Sequence, residues 1–170
     1  MKKNILLAAA MMMSFATFSQ DVIERFFNEL NNDEQVTKVS ISSKMFELFM
    51  HIDSEEADEK ELLETVSKLK RMKILIKDGV TIGEQLYKSA IKKPSADYEV
   101  LMTVEDDVED LTFFIREENG VIAELVMIAG GKDNFVLLSL IGEIDLNQIS
   151  KLSKSMNIEG MDNLDKIEQR

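Results

Sequence analysis

The chain has 170 residues, no cysteine and a formal net charge of −12, from 20 basic and 32 acidic side chains. The lack of cysteine excludes disulfides, thiol nucleophiles and cysteine metal ligands. The negative charge repels phosphate backbones and anionic lipid head groups, so we expect no nucleic-acid partner.

Residues 1–19 have the pattern of a secretory signal peptide. A short basic start precedes an unbroken apolar run at residues 5–13, and small residues follow at cleavage spacing. This run is shorter than the roughly 20 apolar residues that span a bilayer, which argues against an N-terminal anchor. Cleavage after Ala16 or after Ser19 fits, and we favour Ser19. The pattern predicts export, to the periplasm first and to the medium as an alternative, with no stable membrane insertion after cleavage.

The next part of the chain alternates between helical and β-prone patterns. Helices are indicated by apolar residues at three- and four-residue spacing, and strands by short β-branched runs. Ser42 or Ser43 can cap the second helix, and Asp58 with Glu61 can cap the third. The predicted elements are helices at 22–30, 45–52 and 58–69 and strands at 35–42 and 72–77.

The second half is predicted to be mainly strands. Thr81 and Glu84 have capping-box spacing, and the helix that they open stops before Pro94. Asn119-Gly120 between apolar runs is a strong hairpin signal. Asp145 is expected to cap a last helix. The predicted strands lie at 98–104, 111–117, 121–129 and 135–141.

These elements predict one α+β domain over residues 20–160, followed by a tail at 161–170 that can add a short helical turn. The expected architecture is a two-layer sandwich, with a mixed or largely antiparallel sheet of about six strands and helices packed mainly on one face. Consecutive hairpins make the C-terminal strands antiparallel. The N-terminal strands are joined through helices and are free to lie parallel to each other.

The most distinctive sequence is NFVLLSLIGEIDL at residues 134–146, where a strand runs into the last helix. It resembles the uncharacterised exported family known as domain of unknown function 4252, and residues 43–48 and 72–79 are similar to that family's pattern. The family occurs mainly in Bacteroidota, so the resemblance implies a Gram-negative cell envelope. It implies no activity, cofactor or catalytic residue. Gly142 and Asp145 also have structural explanations, as a close backbone approach and a helix cap.

Candidate chemistry centres on the only histidine. His51 lies at the end of the second predicted helix, and Asp53, Glu55 and Glu56 follow it, so together they could form a general base or a metal site. A helix-terminal imidazole beside acidic residues explains the same pattern without chemistry, and we favour that interpretation. A second acidic run, at residues 105–110, does not match a calcium-binding loop and indicates a solvated turn.

The sequence therefore favours a non-enzymatic module without a cofactor, which binds or scaffolds an envelope protein or an apolar ligand. Phe46 and Phe49 on the second helix are the candidate partner-binding residues, because methionine and phenylalanine cluster there. The alternative is a metal-dependent or carboxylate-based hydrolase that uses His51 with Asp53, Glu55 or Glu56. The default expectation for the methionines outside the signal peptide, including Met45 on this helix, is that they fill the core.

Overall fold

The structure, a computed structural model, describes residues 22–29, 35–49, 63–79 and 81–149. The predicted signal peptide at 1–19 and the predicted tail at 161–170 lie outside the described residues. The domain bounds of 20–160 therefore stay a prediction. None of the helices in the described ranges is long and apolar enough to cross a membrane.

The described elements follow the predicted order closely. Three helices of seven or eight residues and six strands are present, and shorter helical segments span residues 63–67 and 146–149. The helices are α1 (Val22–Glu29), α2 (Ser43–Phe49) and α3 (Gly83–Ala90). The strands are β1 (Val36–Ser42), β2 (Leu69–Asp78), β3 (Glu99–Glu105), β4 (Glu109–Glu118), β5 (Val121–Gly131) and β6 (Asn134–Ile144).

All six strands form one antiparallel sheet in the order β1-β2-β6-β5-β4-β3. The last strand, β6, inserts between β2 and β5. Its apolar side chains are buried in both directions, with Leu137 and Leu138 each at most 1% exposed, which suits a central strand. The α+β class and the largely antiparallel sheet of about six strands are confirmed. The sequence left the relative direction of β1 and β2 open, and the structure pairs them antiparallel.

The two sides of the sheet differ in composition, and we name them by that difference. The apolar face carries Phe113, Met127 and Leu138, which stand next to one another through the strand register. The mixed face carries Phe114, Val126 and Leu137 together with buried polar residues. The buried polar residues of the mixed face are Lys73, Lys77, Thr112, Glu124 and Ser139.

Helices cover both faces, whereas the sequence pattern placed them mainly on one. Phe26 of α1 and Tyr87 of α3 pack on the mixed face. Phe46 of α2, Val66 and Ile149 pack on the apolar face. The reason is the central strands, where consecutive apolar residues leave hydrocarbon on both sides that must be shielded from water.

Two local predictions were wrong because tertiary contacts override local signals. Leu69 was assigned to a helix but begins β2, where it is buried against the end of β6 and the neighbouring Lys68 carbonyl accepts the Glu143 N–H at 3.1 Å. The Thr81–Glu84 capping box does not form, and α3 begins after Ile82 without a side-chain cap. Gly83 instead sets this end, because a Cβ there would overlap the backbone of the β5–β6 hairpin.

Three turn and cap predictions are confirmed. Asn119 and Gly120 both have positive φ, 55° and 79°, as a two-residue hairpin of type I′ requires. The Asp145 carboxylate accepts the Asn147 N–H at 2.9 Å and caps the last helical segment. Gly142 is a close approach, since a Cβ there would overlap the Lys68 carbonyl oxygen. Local chemistry therefore predicts the hairpin turn and one helix start correctly, but not the start of α3.

Candidate binding surface and buried polar network

The predicted partner-binding residues do not form an exposed pair in the described structure. Phe46 is only 5% exposed and packs into the apolar-face core. This burial follows from the chain path, because α2 begins directly after β1 and lies against β1 and β2. The Phe49 side chain lies outside the described residues. Phe46 therefore has a packing role and offers almost no surface to a partner.

The predicted metal or hydrolase residues also lie outside the described residues. They are His51, Asp53, Glu55 and Glu56. Within the described ranges, no group of three or more histidine, aspartate or glutamate side chains is placed to hold a metal ion. The second acidic run is a turn, as expected, in which the Asp106 carboxylate accepts the N–H groups of Val108 and Glu109 at 2.7 and 2.9 Å.

The outer side of α2 carries two large apolar side chains beside an exposed ion pair, Lys44–Glu47. Met45 is 47% exposed and Leu48 is 56% exposed, although Met45 was predicted to fill the core. The sequence Ser-Lys-Met-Phe-Glu-Leu-Phe is apolar at most positions around the helix, so only some of these side chains can face the sheet. This surplus of apolar residues in a short helix was the signal in the sequence. Two large hydrophobic side chains therefore face solvent here.

A groove of about 540 Å³ lies beside α2. It runs from Ser43 and Glu47 on the helix, past the start of β2 and the end of β6, to the β4–β5 hairpin. Its charges are of both signs, with Lys68 and Lys70 among several glutamates. Val121, at the hairpin end, is 40% exposed. The lining of this groove is mostly polar or charged, and it includes Ser43 and Glu47 of the helix that carries Met45 and Leu48.

A buried carboxylate organises the mixed face. Glu124 is 2% exposed and accepts three hydrogen bonds. One oxygen accepts from the Tyr98 hydroxyl at 2.7 Å and from Arg116 Nη2 at 3.2 Å, and the other accepts from the Ser139 hydroxyl at 2.9 Å. A buried charge needs such partners, because water is not there to solvate it. Glu124 is therefore held by a complete set of donors.

Arg116 carries the opposite charge of this network. It pairs with Glu124 and also with the more exposed Glu118, and its guanidinium lies 5.9 Å from the centre of the Tyr98 ring. Burial lowers the pKa of Arg116, but hydrogen bonds to Glu118, Tyr98 and Glu124 outweigh burial and the net shift is upward. Arg116 therefore stays protonated, and the Arg116–Glu124 pair is a fixed ion pair.

A β-bulge brings this pair together. A regular two-residue hairpin at Asn119-Gly120 would place Arg116 opposite Ala123. The register of β4 and β5 shifts by one residue between Arg116 and Glu117, so that Arg116 lies opposite Glu124. Sequence reasoning missed this network, although one glutamate inside an otherwise apolar strand was a usable signal.

A second buried polar pair joins α3 to the same face. The Tyr87 and Thr112 hydroxyls are 2.7 Å apart. Burial raises the pKa of Tyr87, the hydrogen bond to Thr112 lowers it, and the charges of Asp110 and Glu105 raise it further, with a net upward shift. The phenol therefore stays neutral well into the alkaline range. Its contribution is to position α3 on the sheet.

Comparison with known proteins identifies a family and no individual relative. The family model described as Domain of unknown function (DUF4252) matches residues 27–152. Neither a curated protein nor a solved structure matches the chain. The matched range contains all six strands, both faces of the sheet and the groove beside α2. The resemblance seen in the sequence is confirmed, and the chain belongs to the DUF4252 family.

Proposed function

We propose that this protein is an exported, non-enzymatic module that binds a partner in the cell envelope through α2 and the adjacent groove. The proposal rests on one observation, that α2 has both a buried and an exposed apolar side. Phe46 anchors the helix to the core, and Met45 and Leu48 on the same helix face solvent. Exposed large apolar side chains next to a charged margin are typical of a contact surface.

The size of this patch suits a few anchor residues. Burying one leucine or methionine side chain contributes about 1.5–3 kcal/mol. Two such anchors, surrounded by polar residues that exclude water, match the usual distribution of binding energy in protein interfaces. Glu47 and Lys68 are placed to form that polar margin. We therefore expect a partner that inserts apolar side chains beside Met45 and Leu48.

The buried network supports a structural interpretation of the charges on the mixed face. The Glu124 carboxylate is enclosed and accepts from three donors, so its hydrogen-bonding capacity serves the fold. The N-terminal signal pattern supports export, and the acidic composition supports solubility after export. The hydrolase alternative at His51 stays a prediction of the sequence.

Site-specific photo-cross-linking in the native cell tests the proposed surface. A photoreactive residue at Leu48 should give a discrete cross-linked product in the envelope fraction. Ile82 is the matched control, because it is also apolar and 41% exposed but lies next to α3. The same product from both positions, or none from Leu48, would contradict the proposal.

A metal titration tests the hydrolase alternative. If His51 and the acidic residues after it form a metal site, a divalent ion should raise the melting temperature of the full chain by preferential binding to the folded state. His51→Ala should remove that rise. Under our proposal, the divalent ion changes the melting temperature of the chain and of the His51→Ala variant to the same extent.

A further inference from the structure

The strand β3 forms the edge of the sheet farthest from β1. The outermost strand, β3, pairs with β4 along one side only, from Glu99 opposite Ile115 to Glu105 opposite Asp110, with a register shift between Val100 and Met102. Among the strands of the described ranges, none pairs with its other side. The outer edge of β3 therefore presents backbone N–H and C=O groups, which can accept a further strand.

The side chains of β3 extend the core to this edge without closing it. Leu101, Met102 and Val104 are half-buried and pack against the apolar-face core. Val100 is 60% exposed. An added strand would bring its own side chains beside these residues and bury the remaining apolar surface. The edge therefore favours a partner with β-branched or other apolar side chains.

The charges around β3 indicate which charges a partner strand should carry. Every charged residue from Asp97 to Asp110 is acidic, and the acidic residues stand before, at and after the two ends of β3. An opposite charge directly across a strand pair is stabilising, and a like charge is destabilising. A segment with lysine or arginine at both ends complements this edge.

We propose that the outer edge of β3 binds an extended partner segment with an apolar centre and basic ends, as an added β-strand. The partner strand would match the seven residues of β3. This surface goes beyond the proposed function, because it lies across the sheet from α2 and recognises a different chemistry. Its test therefore succeeds or fails independently of cross-linking at Leu48.

A second copy of this chain fits the edge less well. An antiparallel pair of two β3 strands centred on Met102 would place Glu99 of one copy opposite Glu105 of the other. A second copy could instead pair with β3 through its own β1, at the basic end of the sheet. The basic charges of the neighbouring β2 are already partly neutralised, since Arg71 and Lys73 both pair with Glu24. The charge pattern therefore favours a separate basic segment.

Synthetic peptides test the proposal on the full chain. The first probe alternates valine and threonine over the length of β3 and carries lysine at both ends. The second replaces lysine by glutamate, and the third keeps lysine but is N-methylated at every residue of the strand, which removes the N–H groups along both edges. By fluorescence anisotropy, we expect the lysine peptide to bind at least about tenfold more tightly than either other peptide.

Charge reversal in the protein locates the binding edge. Glu99→Lys with Glu105→Lys should reverse the preference toward the glutamate peptide. Glu84→Lys with Glu64→Lys makes the same change in net charge at exposed positions away from β3 and outside the residues that line the groove, and should leave the preference intact. Circular dichroism melting of both variants establishes that each is folded. A preference lost equally in both variants would assign it to net charge and overturn the proposal.

Three further outcomes also overturn it. Equal binding of the lysine peptide and its N-methylated form would show that no strand is added. Failure of all three peptides to bind would leave the acidic ends of β3 with the role of preventing edge-to-edge aggregation. Sedimentation of the free protein completes the test. A concentration-dependent dimer that the Glu99→Lys and Glu105→Lys changes abolish would assign the edge to a second copy.

Discussion

The two faces of the sheet reach similar burial by different means. On the apolar face, Phe113 and Leu125 are fully buried among other hydrocarbon side chains. On the mixed face, Phe135 and Leu137 are equally buried, but they share the face with the Glu124 carboxylate and its partners. Hydrophobic burial has no direction, whereas hydrogen bonds and ion pairs require particular atoms at particular distances.

Because of this difference, the two faces contribute differently to stability and to the register of the strands. A hydrocarbon face specifies strand register only to within two residues, because a two-residue slip keeps the same alternate side chains inward. The Arg116–Glu124 pair does not tolerate such a slip, because it forms only when the β-bulge displaces the register by one residue. We therefore expect the apolar face to contribute mainly free energy and the mixed face to define which residues of β4 and β5 are paired.

The prediction with the largest expected effect tests whether buried apolar side chains contribute equally to stability on the two faces. Phe113→Ala on the apolar face should lower the free energy of unfolding by about 3–5 kcal/mol, because it removes a fully buried ring and leaves a cavity. Phe135→Ala is the matched change on the mixed face and should cost a similar amount. Urea denaturation measures both. A loss below about 1 kcal/mol on either face would contradict equivalent packing.

The buried ion pair should give the next largest effect. Glu124→Leu leaves Arg116, Tyr98 and Ser139 without their shared acceptor, and we expect a loss of about 2–3 kcal/mol. The double variant Glu124→Leu with Arg116→Leu should lose less than the single variant, because it also removes the guanidinium that has lost its buried Glu124 partner. A double-mutant cycle measures the difference. Strictly additive losses would show that the two residues do not act as a pair.

A smaller effect concerns Tyr87 and alkaline pH. Its pKa is raised above the ordinary value of 10.0, so above that pH the folded state keeps a proton that the unfolded state releases. The free energy of unfolding should therefore fall as pH rises above 10.0 toward the folded-state pKa. Tyr87→Phe should lose about 1 kcal/mol near neutral pH, from the hydrogen bond to Thr112, and should show a weaker alkaline decline. Denaturation across this range, compared with Tyr98→Phe, provides the check.

The smallest effect lies outside both faces, on the exposed side of α2. Met45→Ser with Leu48→Ser should lower the free energy of unfolding by no more than about 1 kcal/mol, because both side chains are exposed and serine is the weaker helix former. Phe46→Ala on the same helix is the contrast and should cost about 3–5 kcal/mol. Thermal melting compares them. A large loss in the serine variant would assign Met45 and Leu48 to the fold and remove the proposed contact surface.

The local sequence determined most of the elements and several of their ends. Alternation and three- to four-residue spacing depend on backbone geometry, so they located all six strands and the described helices. Asn119-Gly120 and Asp145 act within a few residues of themselves, and both predictions hold. The family resemblance is confirmed as well, and it rests on short contiguous segments at residues 43–48, 72–79 and 134–146.

Only the tertiary structure decided where β6 inserts, which faces the helices cover and which polar residues meet. Leu69 joins β2 because Gly142 allows a backbone approach from a strand far along the chain. Arg116 meets Glu124 through a one-residue bulge that no local pattern specifies. Phe46 turns inward and Leu48 outward because the side of α2 that faces the sheet depends on packing. Such contacts join distant residues, and a periodic pattern along the chain carries no information about them.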